Sequence, residues 1–557
     1  MVVAYIFVLH SSHLAADGSD KIRIADPQVS FQEEFTESVN YIKETTASVR
    51  QIEHKQSSRY IAQVKETTTP KVTLAQIAFE GNTVLDDATL EEIAHPYLNR
   101  RVDFTDLLKL RDEVTKAYND IGYISSGAVL PDQQVVNGRM VYSIVEGAID
   151  AVTIEGAGRI HDSYISDRVL KGALIPFNSQ VLQRNIQKIL NDPLIDELQG
   201  QLKIHPQPGY DNLILRVTRA RPYDLSTTVN NHGAPGAGVK QLSLSSAFQN
   251  LSGWGDTLGF VVGGNKNKYN FSAVYELPIN TNNTRLKVHW SSNESEIIDG
   301  SFADLDIDSN SGGYDVSISH PYRIKSNTAL TFGAGVSVRE NRNTLLDMPF
   351  SFSPGEVDGR SKVSMVHLSQ DFIKQGHQSV LAARAEIKIG INAFGSTVND
   401  GNLADSQFLV AQTQLRFSKK VMNDRAQLLL RFNSQTADRE LLPLVRFSLG
   451  GASTVRGYRQ NEVVRDQAVL ATAELRYALP LSPQLGVFQI APFLDAGYGR
   501  NKSVDKNGQS LTSAGVGLLW SLNSRFSGEI YLGAALGDTN NVSFKDRGIH
   551  LNLAFRL

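Results

Sequence analysis

The sequence predicts a transmembrane β-barrel of about sixteen antiparallel strands, preceded by two small α+β modules. Three observations carry this expectation. From residue 222 to residue 557, segments of roughly ten residues alternate apolar and polar side chains between Gly, Asn, Asp and Ser turns. Residues 71–148 and 149–221 each read as strand, helix, helix, strand, strand. No stretch reaches the ~18–20 continuous apolar residues that a membrane-crossing helix requires, so a membrane position must be reached by strands.

Residues 1–20 read as the remnant of a signal peptide, with apolar Met1–Leu9 and the small pair Ala15-Ala16, but without a positively charged start. Residues 21–70 are polar, with a loose helical spacing at Phe31, Phe35, Val39 and Ile42 before Thr69-Pro70. A helix plus linker fits this stretch, although on composition alone disorder is the stronger reading.

In the first module, Ile77 and Phe79 alternate as a strand that stops at Gly81-Asn82, and a short helix follows over Asp87–Ala94. A longer amphipathic helix, capped by Asp103 or Thr105, places Leu107, Leu110, Val114, Ala117, Tyr118 and Ile121 on one face. Strands near Ser125–Leu130 and Arg139–Val145 complete the unit. The second module repeats this order: Glu155-Gly156 answers Glu80-Gly81 at an offset of 75 residues, and Leu182, Ile186, Ile189 and Leu190 make one helical stripe. Strands near Leu198–Ile204 and Asn212–Val217 close it. Both stripes read as core.

In the barrel segment, Leu286, Val288 and Trp290 alternate with Arg285, Lys287 and His289, and Leu428, Leu430 and Phe432 with Gln427 and Arg431. The last nine residues set Ile549, Leu551, Leu553, Phe555 and Leu557 against His550, Asn552, Ala554 and Arg556. A soluble sandwich alternates too, but it rarely needs so long a sheet, whereas sixteen tilted strands close around a polar lumen.

Composition narrows the function. Lys and Arg number 55 against 58 Asp and Glu, which gives no electrostatic footprint for nucleic acid. The absence of Cys excludes disulfides, thiol nucleophiles and Cys-based zinc sites. No Gly-x-Ser-x-Gly elbow, His-Glu-x-x-His pair or phosphate-binding loop occurs, so neither an enzyme nor a bound cofactor is expected. Gly233–Gly238 precedes no helix and reads as a barrel turn, and His289 and His550 read as solvated lumen residues.

Two short motifs remain. Val455-Arg456-Gly457-Tyr458-Arg459 sits in a segment of about thirty residues, 437–466, far longer than an ordinary turn. Phe493-Leu494-Asp495-Ala496-Gly497 lies inside a later strand. A carboxylate at membrane depth must face the lumen and find a cation, and the planar fork of Arg456 suits Asp495. Gly457 would let the loop backbone turn sharply. Each motif alone is weak; in this order they are informative.

With Phe79-Glu80-Gly81-Asn82-Thr83, Gly122-Tyr123, Leu130-Pro131-Asp132-Gln133 and Val145-Glu146-Gly147, then Leu449–Arg459 and Phe493–Gly497, residues 71–557 resemble the two-partner secretion transporters. These pores export haemolysins and filamentous haemagglutinins, within the superfamily that also holds the barrel-assembly insertase. The resemblance implies two periplasmic POTRA modules and an outer-membrane barrel whose sixth extracellular loop folds inward to an Arg456–Asp495 lock, helped by Val455, Gly457, Tyr458, Phe493 and Gly497. It implies a helix within 31–66 that plugs the pore, for which this polar stretch is a poor match. The implied partners are one large exoprotein with an N-terminal secretion domain (a haemolysin, adhesin or contact-dependent toxin), the barrel-assembly machinery and periplasmic chaperones for insertion, and outer-membrane lipid; the chain is expected to be a monomer.

A POTRA sheet leaves an edge unpaired, and an extended peptide can add to it. The implied docking edge is Leu198, Gly200, Leu202 and Ile204, although without the resemblance a solvated edge is the ordinary reading. The chain ends in Leu557 where the superfamily's insertion signal usually ends in Phe, with Phe555 placed to supply the aromatic. Were the lock a simple pair, exchanging the charges of Arg456 and Asp495 would restore part of its function. The competing function is a barrel-assembly insertase, against which the count of two modules argues; a passive porin would have no use for the modules.

Overall fold

A computed structural model describes residues 71–557 apart from 191, 208, 298–305, 326, 402, 503–507 and 538–547. The expected leader and plug segment lie outside the described residues. Contacts divide the chain into two compact units, one holding the modules up to Ala220 and the other the barrel from Arg221.

In the first module the strand Arg139–Val145 lies in the middle of a three-stranded sheet, parallel to Gln76–Glu80 and antiparallel to Gly127–Val129. The helix Phe104–Asp120 starts at Asp103, whose carboxylate accepts the Asp106 N–H at 3.0 Å while Asp106 answers in a capping box. Leu107, Leu110, Val114 and Tyr118 are buried against Met140, Tyr142 and Ile144. Ile121 departs from the expected face: it follows the last helical turn and is 43% exposed.

The motif residues of this module hold its turns together. Glu146 accepts the Thr83 N–H at 2.6 Å and the Thr83 hydroxyl at 2.5 Å. The Tyr118 hydroxyl sits 2.5 Å from Asn82 Oδ1 and 3.0 Å from Glu146 Oε1. Burial, then the Glu146 contact, pushes that phenol well above its ordinary range, so it stays a donor. Gln133 accepts the Val141 N–H at 2.9 Å and donates to its carbonyl at 2.6 Å, serving as one more rung on the sheet.

The second module repeats the plan, with Tyr210–Arg219 central, Ala148–Glu155 parallel to it and Ile195–Ile204 antiparallel. The repeated Glu-Gly has a physical cause. Gly81 and Gly156 have φ near +90°, and a Cβ there would meet the Ile144 and Val217 carbonyls of the two closing strands. The modules are joined rather than strung. Asn178 caps the helix Ser179–Ile189 and donates to the Ile121 carbonyl at 3.1 Å, and the Ser179 N–H and hydroxyl both donate to the Gly122 carbonyl.

The barrel wall has sixteen antiparallel strands; the two-residue strand Met348–Pro349 pairs only with its neighbour in a connection. Its first strand, Tyr223–Asn230, pairs with its last, Ile549–Arg556, from Asn230 opposite Asn552 to Ser226 opposite Arg556. Leu557 adds an N–H donated to the Leu225 carbonyl at 2.9 Å, so the C-terminal residue helps close the wall. Phe555 and Leu557 are exposed on the outer face. Gly233–Gly238 lies in the connection between the first two wall strands.

Alternation sorts each strand as expected. Leu286, Val288 and Trp290 are exposed, whereas Asn341, Asn343, His550 and Asn552 are buried on the inner side. Short turns (376–378, 422–425, 524–525) lie at one end and long connections (346–359, 392–408, 438–466) at the other. In outer-membrane barrels the short end is periplasmic. A closed ladder of this kind resists detergent, so the folded protein is expected to migrate differently from the boiled protein in a denaturing gel; a single band unaffected by boiling would contradict the closed barrel.

Candidate functional site

The strand Val487–Arg500 carries Phe493, Asp495 and Gly497 on its buried inner side and Leu494 and Tyr498 on its exposed outer side. The long connection that follows Ala426–Ala437 is not an open loop. It contains a short hairpin, Phe447–Leu449 against Val463–Arg465, which the sequence reading did not foresee. At its root Asp466, fully buried, accepts the Leu441 N–H and lies 3.1 Å from Arg446. Leu449, Val455, Tyr458 and Val463 pack with Ala468, Leu470 and Leu511 of the wall.

This packing delivers the loop tip to the wall. Val455 lies directly over Gly497, where a Cβ would come within 3.0 Å of Val455 Cγ2. Gly457 has φ +96° and rests against the backbone of Gly533, Ala534 and Ala535, a close approach in a left-handed conformation that only glycine meets without strain. The Tyr458 hydroxyl donates to the Thr512 carbonyl at 3.1 Å.

Between these residues, Arg456 is 2% exposed. Its Nε and backbone N–H donate to Asp495 Oδ2 at 2.8 and 3.0 Å, and its Nη2 donates to Oδ1 at 2.8 Å. Such a bidentate fork fixes direction as well as charge. The remaining nitrogen, Nη1, donates to Glu474 Oε2 at 2.5 Å. Glu474 Oε1 in turn accepts from Arg476 at 2.7 Å and from the Tyr531 hydroxyl at 3.0 Å. The guanidinium carbon stands 3.5 Å from the Phe493 ring centroid and 4.8 Å from that of Tyr531.

The site is therefore a bonded network of two arginines and two carboxylates with two rings against it, and Arg431 and Glu529 lie close enough to act on it electrostatically. Arg456 and Asp495 come together as the motifs suggested, but sequence reasoning missed Glu474, Arg476 and Tyr531. The sequence marked Glu474 only as a carboxylate within an alternating strand; that it stands opposite Phe493, on the same inner face, depends on the register of the two strands. Val455, Gly457, Tyr458, Phe493 and Gly497 all lie at this one junction.

The docking-edge residues lie elsewhere, on Ile195–Ile204, which has a single partner strand among the described residues. His205 donates to the Tyr210 carbonyl at 3.3 Å. In that register Gln199, Gln201 and Lys203 bond inward, leaving the N–H and C=O of Leu198, Gly200, Leu202 and Ile204 directed at the free edge. Leu198 and Leu202 meanwhile pack into the module core.

Comparison with known proteins agrees with this architecture. A family model described as haemolysin secretion/activation protein ShlB/FhaC/HecB matches residues 209–519, and one described as POTRA domain, ShlB-type, matches residues 72–147. The chain is 24% identical over 498 residues to the heme/hemopexin transporter protein HuxB of Haemophilus influenzae strain 86-028NP, covering 83% of each. It is 25% identical over 451 residues to the outer membrane transporter CdiB of Escherichia coli O6:K15:H31, covering 78% of this chain and 73% of that one. Among solved structures, CdiB from Escherichia coli superposes with TM-score 0.65 at 20% identity, covering 94% of this chain and 96% of that one. BamA from Haemophilus ducreyi lacking POTRA domains 1–3 gives 0.54 at 13% identity, covering 87% and 100%. At these identities the two structures show a shared fold.

Glu474 bonds two arginines, so neutralising it takes away the carboxylate bonded to Arg476 and one of the two that hold Arg456. Breaking a buried pair costs about 3–5 kcal/mol. The change Glu474→Gln is expected to lower the temperature at which the folded gel species converts to the unfolded one by clearly more than Glu276→Gln, which breaks the less buried pair with Arg285. Equal shifts would show that the network adds little to stability.

Proposed function

Because the chain belongs to the haemolysin secretion/activation family ShlB/FhaC/HecB, we propose that it exports one large exoprotein that enters by its N-terminal secretion domain and crosses the pore without nucleotide hydrolysis. The transporter lies in the outer membrane with its POTRA region in the periplasm, and its family exports partner proteins. The finer assignment, a haemolysin, adhesin or contact-dependent toxin as cargo, rests on the family's own cargo classes. Insertion by the barrel-assembly machinery with periplasmic chaperones belongs to the same proposal.

One observation carries the mechanism: the charge network at the loop tip. A connection of about thirty residues gains much conformational freedom once released, so a fixed passenger route needs the loop pinned. Arg456 supplies the pin, and the Arg456–Asp495–Glu474 contacts hold the export-competent form. The second part is recruitment. The free edge of Ile195–Ile204 offers four residues whose backbone groups point away from the module, enough for an extended segment of the partner to add as a strand.

Two measurements test these parts, each scored as secreted partner per folded barrel, the partner being a co-expressed large exoprotein with an N-terminal secretion domain. Leu202→Pro removes an edge-facing donor without removing a bond of the module's own ladder, so the barrel should stay heat-modifiable while secretion falls. Unchanged secretion would place docking elsewhere. Arg456→Ala and Asp495→Ala should each cut secretion sharply with the barrel still assembled. The double exchange Arg456→Asp with Asp495→Arg should not recover it, because the new carboxylate would face Glu474. This revises the expectation from a simple pair. If folded barrel and secretion fall together, these residues serve folding only; if secretion holds while other outer-membrane barrels are depleted, the insertase reading prevails.

A further inference from the structure

Charged side chains on the lipid side of a barrel are unfavourable at mid-membrane and tolerated near the interfaces. Along the strand Thr328–Leu345 the outward positions run Leu330, Phe332, Ala334, Val336 and Val338, then change to Glu340 and Arg342. The apolar run covers about 27 Å of strand, which at a tilt near 40° accounts for most of a ~25 Å apolar band. Glu340 and Arg342 therefore stand at its upper margin, toward the end with the long connections. The neighbouring strand brings Lys362 opposite Glu340 and Arg360 opposite Arg342, also facing outward.

These four residues form one cluster. Glu340 lies 2.7 Å from Arg342 Nε, 2.9 Å from Arg360 Nε and 3.9 Å from Lys362 Nζ. Three cations thus share one carboxylate and leave an excess of two positive charges. The side chains of Arg342 and Arg360 are 67% and 46% exposed, so Glu340 orients them without covering them. Glu294, in the same cross-strand row two strands away, and Glu296 and Asp308 bear negative charge, which confines the positive patch to these two strands. Nothing in the export mechanism uses this patch.

We propose that Arg342, Arg360 and Lys362 form a docking site for a phosphate of the anionic glycolipid of the outer leaflet. The position matches the headgroup layer, the apolar run beneath it suits acyl chains, and arginine forks suit phosphate oxygens. Bound lipid would brace the longest strands of the wall, Ile307–Lys325 and Thr328–Leu345.

The test is native mass spectrometry of the full chain in detergent, titrated with lipid A diphosphate, dephosphorylated lipid A or inorganic phosphate. Wild type is expected to bind the diphosphate at least about tenfold more tightly than the dephosphorylated form, and Arg342→Gln/Arg360→Gln/Lys362→Gln should lose that preference. Glu340→Gln, which keeps every cation, should bind at least as tightly as wild type; a loss equal to that of the triple variant would overturn the proposal. Heat-modifiable migration confirms that each variant is folded. Equal affinity for both lipids, or displacement of lipid A by millimolar inorganic phosphate, would also overturn it.

Discussion

An arginine buried inside a barrel is costly unless its nitrogens find partners and carboxylates offset its charge, and Arg456 has both. Asp495 takes two of its side-chain nitrogens and its backbone N–H, Glu474 takes the third nitrogen, and Arg476 balances the second carboxylate. The ring centroids of Phe493 and Tyr531 stand 3.5 and 4.8 Å from the guanidinium carbon, so the cation also lies against two aromatic rings. The contacts span three wall strands and one connection, so the network ties the connection's position to the barrel's own register.

Much of the surrounding structure can be understood as what brings Arg456 to that place. The hairpin Phe447–Leu449/Val463–Arg465 gives the connection internal order, and the buried Arg446–Asp466 pair holds its root. Val455 over Gly497, Gly457 against the 533–535 backbone and Tyr458 on Thr512 fix the tip on both sides of the guanidinium. Dispersion contacts at Val455 or Tyr458 are individually small, but they limit the tip to one position in which the fork is aligned. The periplasmic modules follow another logic. Their motif turns are held by Glu146, Asn82, Gln133 and Asn178, and the outer edge of Ile195–Ile204 has no partner strand among the described residues.

The wall and the modules were legible in the sequence because their signals are local. Leu286, Val288 and Trp290 declare an outer face by period alone, and the Glu-Gly pair 75 residues apart declares a repeat. Ile121 was misplaced because helical spacing does not say where the last turn ends. Arg456 and Asp495 stood out as motif residues, but Glu474, Arg476 and Tyr531 did not, since their meeting depends on the register of separate strands. The basic patch at Arg342, Arg360 and Lys362 was hidden for the same reason: its members join only when Thr328–Leu345 pairs with Arg360–Gln375.

If the geometry of the fork, and not simply a positive charge, holds the loop for export, then lysine cannot replace Arg456. A lysine would keep the charge but lose the bidentate contact and the simultaneous reach to Glu474. The decisive measurement is secreted partner per folded, heat-modifiable barrel in Arg456→Lys. The account predicts near-normal folded barrel with secretion reduced about as far as in Arg456→Ala. Secretion at the wild-type level, or a loss of secretion that only mirrors a loss of folded barrel, would contradict it.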